Sequence, residues 1–337
     1  MKNTLHHRPT QFDVAKLAGV SQKTVSLVLN NDTTYSIPVE THQRVQDAMA
    51  KLGYVPHRMA RGLRNNKTYT IASIIPDITN PFYPTFLRGV QDVAETQNYN
   101  TIIYNTDGTA EKERKSLISA IESQVDGIIG MFFHSTSKDY LEGQTIPIVE
   151  LGGTIDLPNI DIVYVDCTEA AQVATTHLIK KNHTRIGFVG GTTDSLPHQA
   201  RLAGYRQAII SNNLPLDESL ICCGNFSEFG GYQAMKELLQ LSPRPSAIFA
   251  ANDLMAMGAY QAIREANLRI PEDIAIVGFD DIPAAKLLTP PLTTISQFQE
   301  NLGHRAAEML FERLGGLANE KSRMEKLPFE LILRAST

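Results

Sequence analysis

The sequence predicts a small all-α head carrying a helix-turn-helix, followed by a larger α/β body of two doubly wound parallel-sheet lobes. Three observations predict it. Two short apolar-periodic stretches are joined by a tight turn between Asp13 and Asn30. Beyond Tyr69, apolar runs alternate with amphipathic helical stretches, as a parallel sheet covered on both faces requires. That alternation restarts near Thr168, which gives two lobes of similar build. A chain of 337 residues has room for two or three such units.

In the head, Val14, Ala15 and Ala18 follow i, i+1, i+4 spacing and make a small apolar face. Gly19 suits a left-handed C-cap, because it has no Cβ to clash there. Ser21 stands where an N-cap belongs, ahead of a second apolar series, Val25, Val28 and Leu29. Gln22, Lys23, Ser26 and Leu27 lie between those positions and face outward near the helix start. A helix-turn-helix reader lays this part of its second helix in the DNA major groove. On geometry alone, a helical hairpin opening some other domain is the plainer alternative. Ser36 is expected to cap a third helix with Pro38 in its first turn. Val45, Ala48, Met49 and Leu52 then form its inward stripe, and Gly53 ends it. A head of this size should be only marginally stable alone. The stretch from His57 to Thr68 reads as a linker with a short helix, apolar at Ala60 and Leu63 and cationic at Arg58, Arg61 and Arg64.

In the body, strands are expected at Thr70–Ile75, Thr101–Tyr104, Asp126–Gly130 and Ile146–Glu150. Helices are expected from Asn80 onward and over Glu111–Ser123. The second set places strands at Arg185–Val189, Ser219–Cys223, Ala247–Ala250 and Ile274–Phe279. Its helices are Thr168–Lys181, Gln199–Ser211, Gly230–Leu241 and Asp253–Ala266. Leu292–Ser296, a helix over Gln299–Leu314, and Phe329–Arg334 close the chain.

Charge separates the two parts. The whole chain carries −5, which by itself argues against a nucleic-acid partner. Before Tyr69, however, ten Lys and Arg residues face only Asp13, Asp32, Glu40 and Asp47. A basic module on an acidic body fits DNA binding by the head alone. The chain is 42% hydrophobic and 20% charged, and no apolar run of about 18 residues suggests a membrane span. No secretory h-region is visible, so a cytoplasmic location is expected. Cys167, Cys222 and Cys223 are odd in number and two are adjacent, which speaks against a disulfide framework; they read as small buried residues in or near strands. The histidines are scattered, and neither a metal nor a cofactor is expected.

Several stretches resemble the LacI/GalR family of bacterial transcription regulators. In the head these are Asp13-Val14-Ala15, Ala18-Gly19-Val20-Ser21, Thr24-Val25-Ser26 and Val28-Leu29-Asn30. In the linker they are Leu52-Gly53-Tyr54 with Pro56, then Ala60-Arg61 and Leu63-Arg64. In the body they are Arg201 to Tyr205, Ala251 to Gly258, Ile276 to Asp281 and Pro290 to Ile295. The resemblance thus runs from Asp13 to about Arg334. It implies a helix-turn-helix domain over 1–56, a hinge helix over 57–68, and a periplasmic-binding-protein-like effector and dimerisation domain over 69–337. The N-lobe would take about 69–165 and 296–327, and the C-lobe about 166–295 and 328–337. It also implies that Leu63 is a wedge that enters the minor groove of operator DNA and bends it. Gly62 in that hinge costs about 1 kcal/mol relative to Ala, so ordering of the hinge is expected to depend on DNA. Two departures stand out. Leu27 occupies a position that is often basic, and Leu151-Gly152-Gly153 stands where sugar-responsive relatives often carry an acid.

Ligands of open α/β sheets bind beyond the carboxyl ends of the strands. Phe82, Tyr83, Arg201, Phe226, Asn252 and Asp280 all follow expected strands. By resemblance Arg201, Asn252 and Asp280 touch the effector, and Phe82 and Phe226 wall its pocket. Asp253 is read instead as a helix N-cap. For DNA, Gln22, Lys23 and Ser26 are the expected base-edge contacts, with Leu27 beside them. Thr10, Ser21, Thr24 and Asn30 are expected at phosphates, and Arg61, Leu63 and Arg64 in the hinge. The expected function is a homodimeric, operator-binding regulator, a repressor by expectation, whose DNA affinity is set by a sugar-like effector. The alternatives are a purine- or nucleoside-responsive regulator and a plain solute-binding protein. An enzyme is not expected: no Ser-His-Asp order or metal constellation is present, and Gly187, Gly190 and Gly191 do not match a dinucleotide fingerprint. The absence of a leucine heptad after Arg334 argues for a dimer rather than a tetramer.

Overall fold

Thr10 starts the first helix. Its hydroxyl accepts the Asp13 N–H at 3.4 Å, and the Asp13 carboxylate accepts the Thr10 N–H at 2.8 Å, so two otherwise orphaned donors are satisfied reciprocally. In this computed structural model, described for residues 9–29, 35–55, 67–134, 140–152, 157, 160–317 and 321–337, that helix is α1 (Gln11–Ala18). Gly19 ends it at φ 65°, a left-handed conformation that favours glycine. The Ser21 hydroxyl accepts the Thr24 N–H at 3.0 Å and opens α2 (Gln22–Leu29). The third helix, α3 (Val39–Leu52), starts later than the sequence suggested. Pro38 itself is its N-cap residue and no side chain caps it. Proline has no N–H and keeps a helix from extending back through it, which strands Ser36 two residues too early to cap. Val14, Ala15, Ala18, Val25, Val28, Val45 and Ala48 form the buried core of the three helices.

The chain divides into two compact units, Met1–Thr68 and Tyr69–Thr337. The second unit holds two sheets. The first contains β1 (Thr70–Ile75), β2 (Asn100–Asn105), β3 (Gly127–Gly130), β4 (Ile148–Leu151), β5 (Ile160–Val165) and β11 (Met324–Leu327). Its spatial order is β11-β5-β4-β3-β1-β2, all pairs parallel. The second contains β6 (Ile186–Gly190), β7 (Ile221–Cys223), β8 (Ala247–Ala250), β9 (Ala275–Asp280), β10 (Thr293–Ser296) and β12 (Glu330–Ile332). Its order is β12-β10-β9-β8-β6-β7. Here the expectation of parallel sheets needs a correction, because β12 pairs antiparallel with β10.

Helices α4 (Phe82–Thr96), α5 (Ala110–Glu122) and α10 (Gln299–Leu314) cover the first sheet. Helices α6 (Cys167–Lys180), α7 (Leu196–Ser211), α8 (Glu228–Leu239) and α9 (Asp253–Glu265) cover the second. Among the described residues, the chain crosses between lobes after β5, after β10 and between β11 and β12. Two strands had escaped the sequence reading. β5 carries Asp161, a charge in a strand interior, and β11 reads Met-Glu-Lys-Leu with no apolar run. Tertiary pairing explains both. Arg313 and Arg323 donate to the fully buried Asp161 carboxylate, Arg313 from 2.8 Å and Arg323 from 2.6 Å, and so align β11 beside β5. Burial alone would raise the Asp161 carboxyl, but the two guanidinium groups outweigh it and hold the carboxyl below its ordinary range. Cys223 is a further correction: it is exposed, because β7 is a three-residue edge strand, and Cys167 and Cys222 are half-buried.

Helices α4 and α10 approach closely at two glycines. A Cβ on Gly303 would fall 2.0 Å from the Phe86 carbonyl oxygen, and one on Gly89 would fall 2.1 Å from that of Glu300. Backbone cannot yield as a flexible side chain can. Gly303→Ala is therefore expected to destabilise the body by about 1–3 kcal/mol, read from its urea midpoint. A loss below about 0.5 kcal/mol would mean that the helices part without cost.

Candidate nucleic-acid interface and ligand cleft

On α2, Gln22 and Lys23 are exposed, and Ser26 and Leu27 are half-buried. No acidic residue occupies the first turn. Acids usually settle at a helix N-terminus, where the backbone dipole is positive. A first turn carrying Lys23 instead presents positive charge throughout, which suits a polyanion. The Ser21 and Thr24 hydroxyls lie 2.8 Å apart, and Thr10 is exposed beside the start of α1. Asn30, Arg61, Leu63 and Arg64, together with Gly62, lie outside the described residues.

Between the lobes of the body is a cavity of about 900 Å³, a size suited to a small organic ligand. All six residues expected there line it: Phe82, Tyr83, Arg201, Phe226, Asn252 and Asp280. Phe82 and Tyr83 begin α4, where the Asn80 side chain accepts the Phe82 N–H at 3.0 Å and fixes the entry to the helix. Burial raises the Tyr83 phenol, and the negative Asp280 adds to that. Tyr83 therefore stays a neutral hydroxyl, 3.6 Å from the Met131 sulfur.

Arg201 comes from the second turn of α7 and is buried. Its guanidinium lies 4.0 Å from the Phe279 ring centroid and 5.8 Å from that of Phe226. It donates to the Ala251 carbonyl and stands 3.7 Å from the Asp280 carboxylate. Asp280 ends β9 at φ 112°, and Asp281 follows at φ 56°. Such backbone costs about 1–3 kcal/mol per residue unless its surroundings hold it. Gln297 does so at 2.7 Å from the carboxylate, and the Gln299 amide donates to the Asp280 carbonyl. Burial pushes the Asp280 carboxyl up to about 6, with Arg201 and Gln297 opposing.

The reading of Asp253 as an N-cap is corrected. Asn252 is the cap of α9, accepting the Met255 N–H at 2.8 Å. Its amide also donates to the Phe226 carbonyl at 3.0 Å, so within the cavity Asn252 chiefly positions Phe226. Asp253 is fully buried, takes the Thr294 hydroxyl at 2.6 Å and the Ile282 N–H at 2.9 Å, and thereby ties α9 to β10 and to the turn after β9. Burial, reinforced by the Asp280 charge, raises its carboxyl well above the ordinary value.

Sequence reasoning missed Phe133, His134 and Asp194, which also line the cavity. Phe133 reaches from the first lobe to Phe226 of the second, ring centroids 6.2 Å apart at 40°. That gap leaves no room for a ligand ring between them, so the two make one aromatic wall spanning both lobes. The buried Glu113 carboxylate accepts the Phe133 N–H at 2.8 Å, and Phe226 packs on Gly191, where a Cβ would lie 2.0 Å from its ring. His134 approaches Asp194 across the same gap at 3.9 Å. The signal was available: Phe133 and His134 lie just past the end of β3, beyond Met131 and Phe132, where the strand-end rule places ligand contacts. Leu151 and Gly152 line the cavity too, while Gly153 is outside the described residues. Among the described residues, Asp92, Glu300 and His304 form the one cluster of metal-ligand type, and Asp92 is already paired with Arg88 at 2.6 Å. No described helix is long and apolar enough to cross a membrane.

Residues 11–57 match the family described as bacterial regulatory proteins, lacI family. Residues 175–337 match the periplasmic binding protein-like domain. The ribose operon repressor of Escherichia coli (strain K12) is 36% identical over 322 residues, 95% of this chain and 97% of that protein. The HTH-type transcriptional repressor PurR of Aliivibrio salmonicida (strain LFI1238) is 35% identical, covering 96% of this chain and 97% of that protein. Among solved structures, the Lac repressor dimer bound to operator and the anti-inducer ONPF superposes with a TM-score of 0.87 at 25% identity, covering 98% and 99% of the two chains. A transcriptional regulator CelR–cellobiose complex superposes with a TM-score of 0.74 at 30% identity, covering 98% and 100%.

The raised Asp280 carboxyl gives a pH dependence with a definite sign. The folded body holds this proton more tightly than the unfolded chain, whose ordinary value is 3.8. The stability contributed by Asp280 is thus full below about pH 4, falls as pH rises to about 6, and stays lost above that. Asp280→Asn is expected to melt higher than the parent near pH 7.5 and to lose part of the decline between about pH 4 and 6. Parallel melting curves across that range would contradict the shift.

Proposed function

We propose, from the premise that this chain belongs to the LacI family of bacterial regulatory proteins, that it is a cytoplasmic repressor whose hold on operator DNA is set by a neutral small molecule in the interlobe cleft. The observation that carries the reading is the joining, on one chain, of a cationic helix-turn-helix to a cleft floored by Arg201 and Asp280. The head takes residues 1–56, the hinge 57–68 and the effector body 69–337, divided into lobes at about 165, 296 and 327. Gln22, Lys23, Ser26 and Leu27 address base edges, and Thr10, Ser21, Thr24 and Asn30 address phosphates. Arg61, Leu63 and Arg64 act in the hinge, with Leu63 as the wedge. Two copies act together, as in the Lac repressor dimer, so that an approximately palindromic operator meets a two-fold protein.

The lining favours an uncharged, hydroxyl-rich ligand. Asp77, Asp194 and Asp280 border the cavity, with Asp107 and Asp166 paired to Lys112 and Lys326, against Arg201, whose guanidinium is already shared by Ala251 and Asp280. An added phosphate or carboxylate would meet net negative charge. Hydroxyl groups donate to carboxylates and accept from a guanidinium, and the apolar face of a sugar ring rests on phenyl groups. A purine is the second reading, favoured by the aromatic Phe133–Phe226 wall and by the likeness to PurR. The ligand leaves the cleft chemically unchanged. It acts only through a difference in affinity between the DNA-holding and DNA-releasing arrangements of the lobes.

A thermal-shift panel of D-ribose, cellobiose, hypoxanthine, guanine and D-ribose 5-phosphate tests the effector class. A neutral ligand present at 100 times its Kd should stabilise the body by about 2.7 kcal/mol, and the phosphate ester should shift nothing. A shift from the ester alone would reverse the charge argument.

Removing everything before Tyr69 should abolish DNA binding and spare ligand binding; retained operator affinity would refute the division of the chain. Leu63→Ala should lower operator affinity far more than affinity for random duplex, and equal losses would rule out the wedge.

A further inference from the structure

Lys23 is exposed in the first turn of α2, and its ammonium lies 5.3 Å from the centroid of the Tyr35 ring. That is within the roughly 6 Å over which a cation is held by an aromatic face. Tyr35 is not part of the head's core and is 54% exposed, so its ring contributes little to packing. It is not loosely placed, however. Two residues on, Ile37 packs against the head core, and Val39 begins α3. The segment that carries Tyr35 is therefore anchored just beyond it, with the ring over the outward face of α2.

We propose that Tyr35 is a positioning residue for DNA reading: its ring aims the Lys23 ammonium at one base edge and so raises sequence discrimination there. The proposal rests on the reading of Lys23 as a base-edge contact. A lysine is a compact charge on a four-carbon stem with several rotatable bonds. Left to itself such a group reaches neighbouring phosphates as readily as bases, and phosphate contacts carry no sequence information. An aromatic face on one side removes part of that freedom. The ammonium has three donors, so the ring can hold one side while the others remain directed at acceptors in the groove. The effect of Tyr35 is thus on discrimination more than on total affinity, and the ring rather than the hydroxyl supplies it.

The test uses the full-length chain and a duplex that the parent protein selects from a random library at fixed salt, with a scrambled duplex of the same composition as reference. Tyr35→Leu is expected to weaken binding to the selected duplex about two- to fivefold, as loss of an exposed cation–π contact implies, with no change on the scrambled one. Its salt dependence should stay that of the parent, since no phosphate contact is lost. Tyr35→Phe should keep the parent's preference. In a Lys23→Ala background, Tyr35→Leu should cause no further loss. Melting temperatures should be alike throughout, because the ring is outside the core.

Equal loss on both duplexes from Tyr35→Leu, loss from Tyr35→Phe, or an undiminished effect of Tyr35→Leu without Lys23 would each overturn the proposal. The first two would make the phenol a phosphate contact. A parent protein that selects no duplex at all would instead bring down the DNA-reading function, and this proposal with it.

Discussion

The cleft depends on one buried charge arrangement. Arg201 is stacked on Phe279 and shared between the Ala251 carbonyl and the Asp280 carboxylate, so three parts of the second lobe meet in one guanidinium. Asp253, just behind, binds the turn after β9 and the strand β10. Two buried carboxylates near one cation are expensive, and burial accordingly raises both. A lobe built for stability alone would fill this space with apolar side chains. Retaining Asp280 there, on backbone that must be held at positive φ, leaves an aimed polar group at the floor of a cavity, with Asp253 sealed beneath it.

The two units divide the electrostatics. This DNA-binding transcription regulator keeps its cationic residues concentrated before Tyr69, while the body that senses a small molecule is acidic. Affinity for a polyanion then depends on the head, and the body does not compete with it for phosphate. Within the body, the three crossings of the chain seen among the described residues join the lobes. Phe133 and Phe226 complete an aromatic surface to which each lobe contributes one ring. A ligand lying against it touches both lobes at once, which is the requirement for binding to bias the angle between them.

Much of this was legible in residue order. The apolar spacing of Val14, Ala15, Ala18, Val25 and Val28 gave α1 and α2, and all five are buried. The strand-end rule brought six side chains from beyond five expected strands into one cavity. Ser36 and Asp253 were misread because a capping residue was assigned from type alone, whereas Pro38 and Asn252 hold the capping positions. β5 and β11 were invisible because their partners are far away in sequence: a buried Asp161 is tolerable only where Arg313 and Arg323 reach it.

By itself, the sequence determined the architecture, two units with a cationic reader and an alternating body, because periodicity and charge are local properties that need no knowledge of neighbours. Tertiary structure alone decided which polar groups face the cleft and which are consumed in holding it. Asn252 and Asp253 are adjacent in the chain, yet one caps α9 at the cavity wall and the other is sealed beneath the floor. The same is true of the wall that joins Phe133 to Phe226 across the lobes. Such roles follow from which distant atoms come within hydrogen-bonding or van der Waals reach, and only the folded chain fixes that.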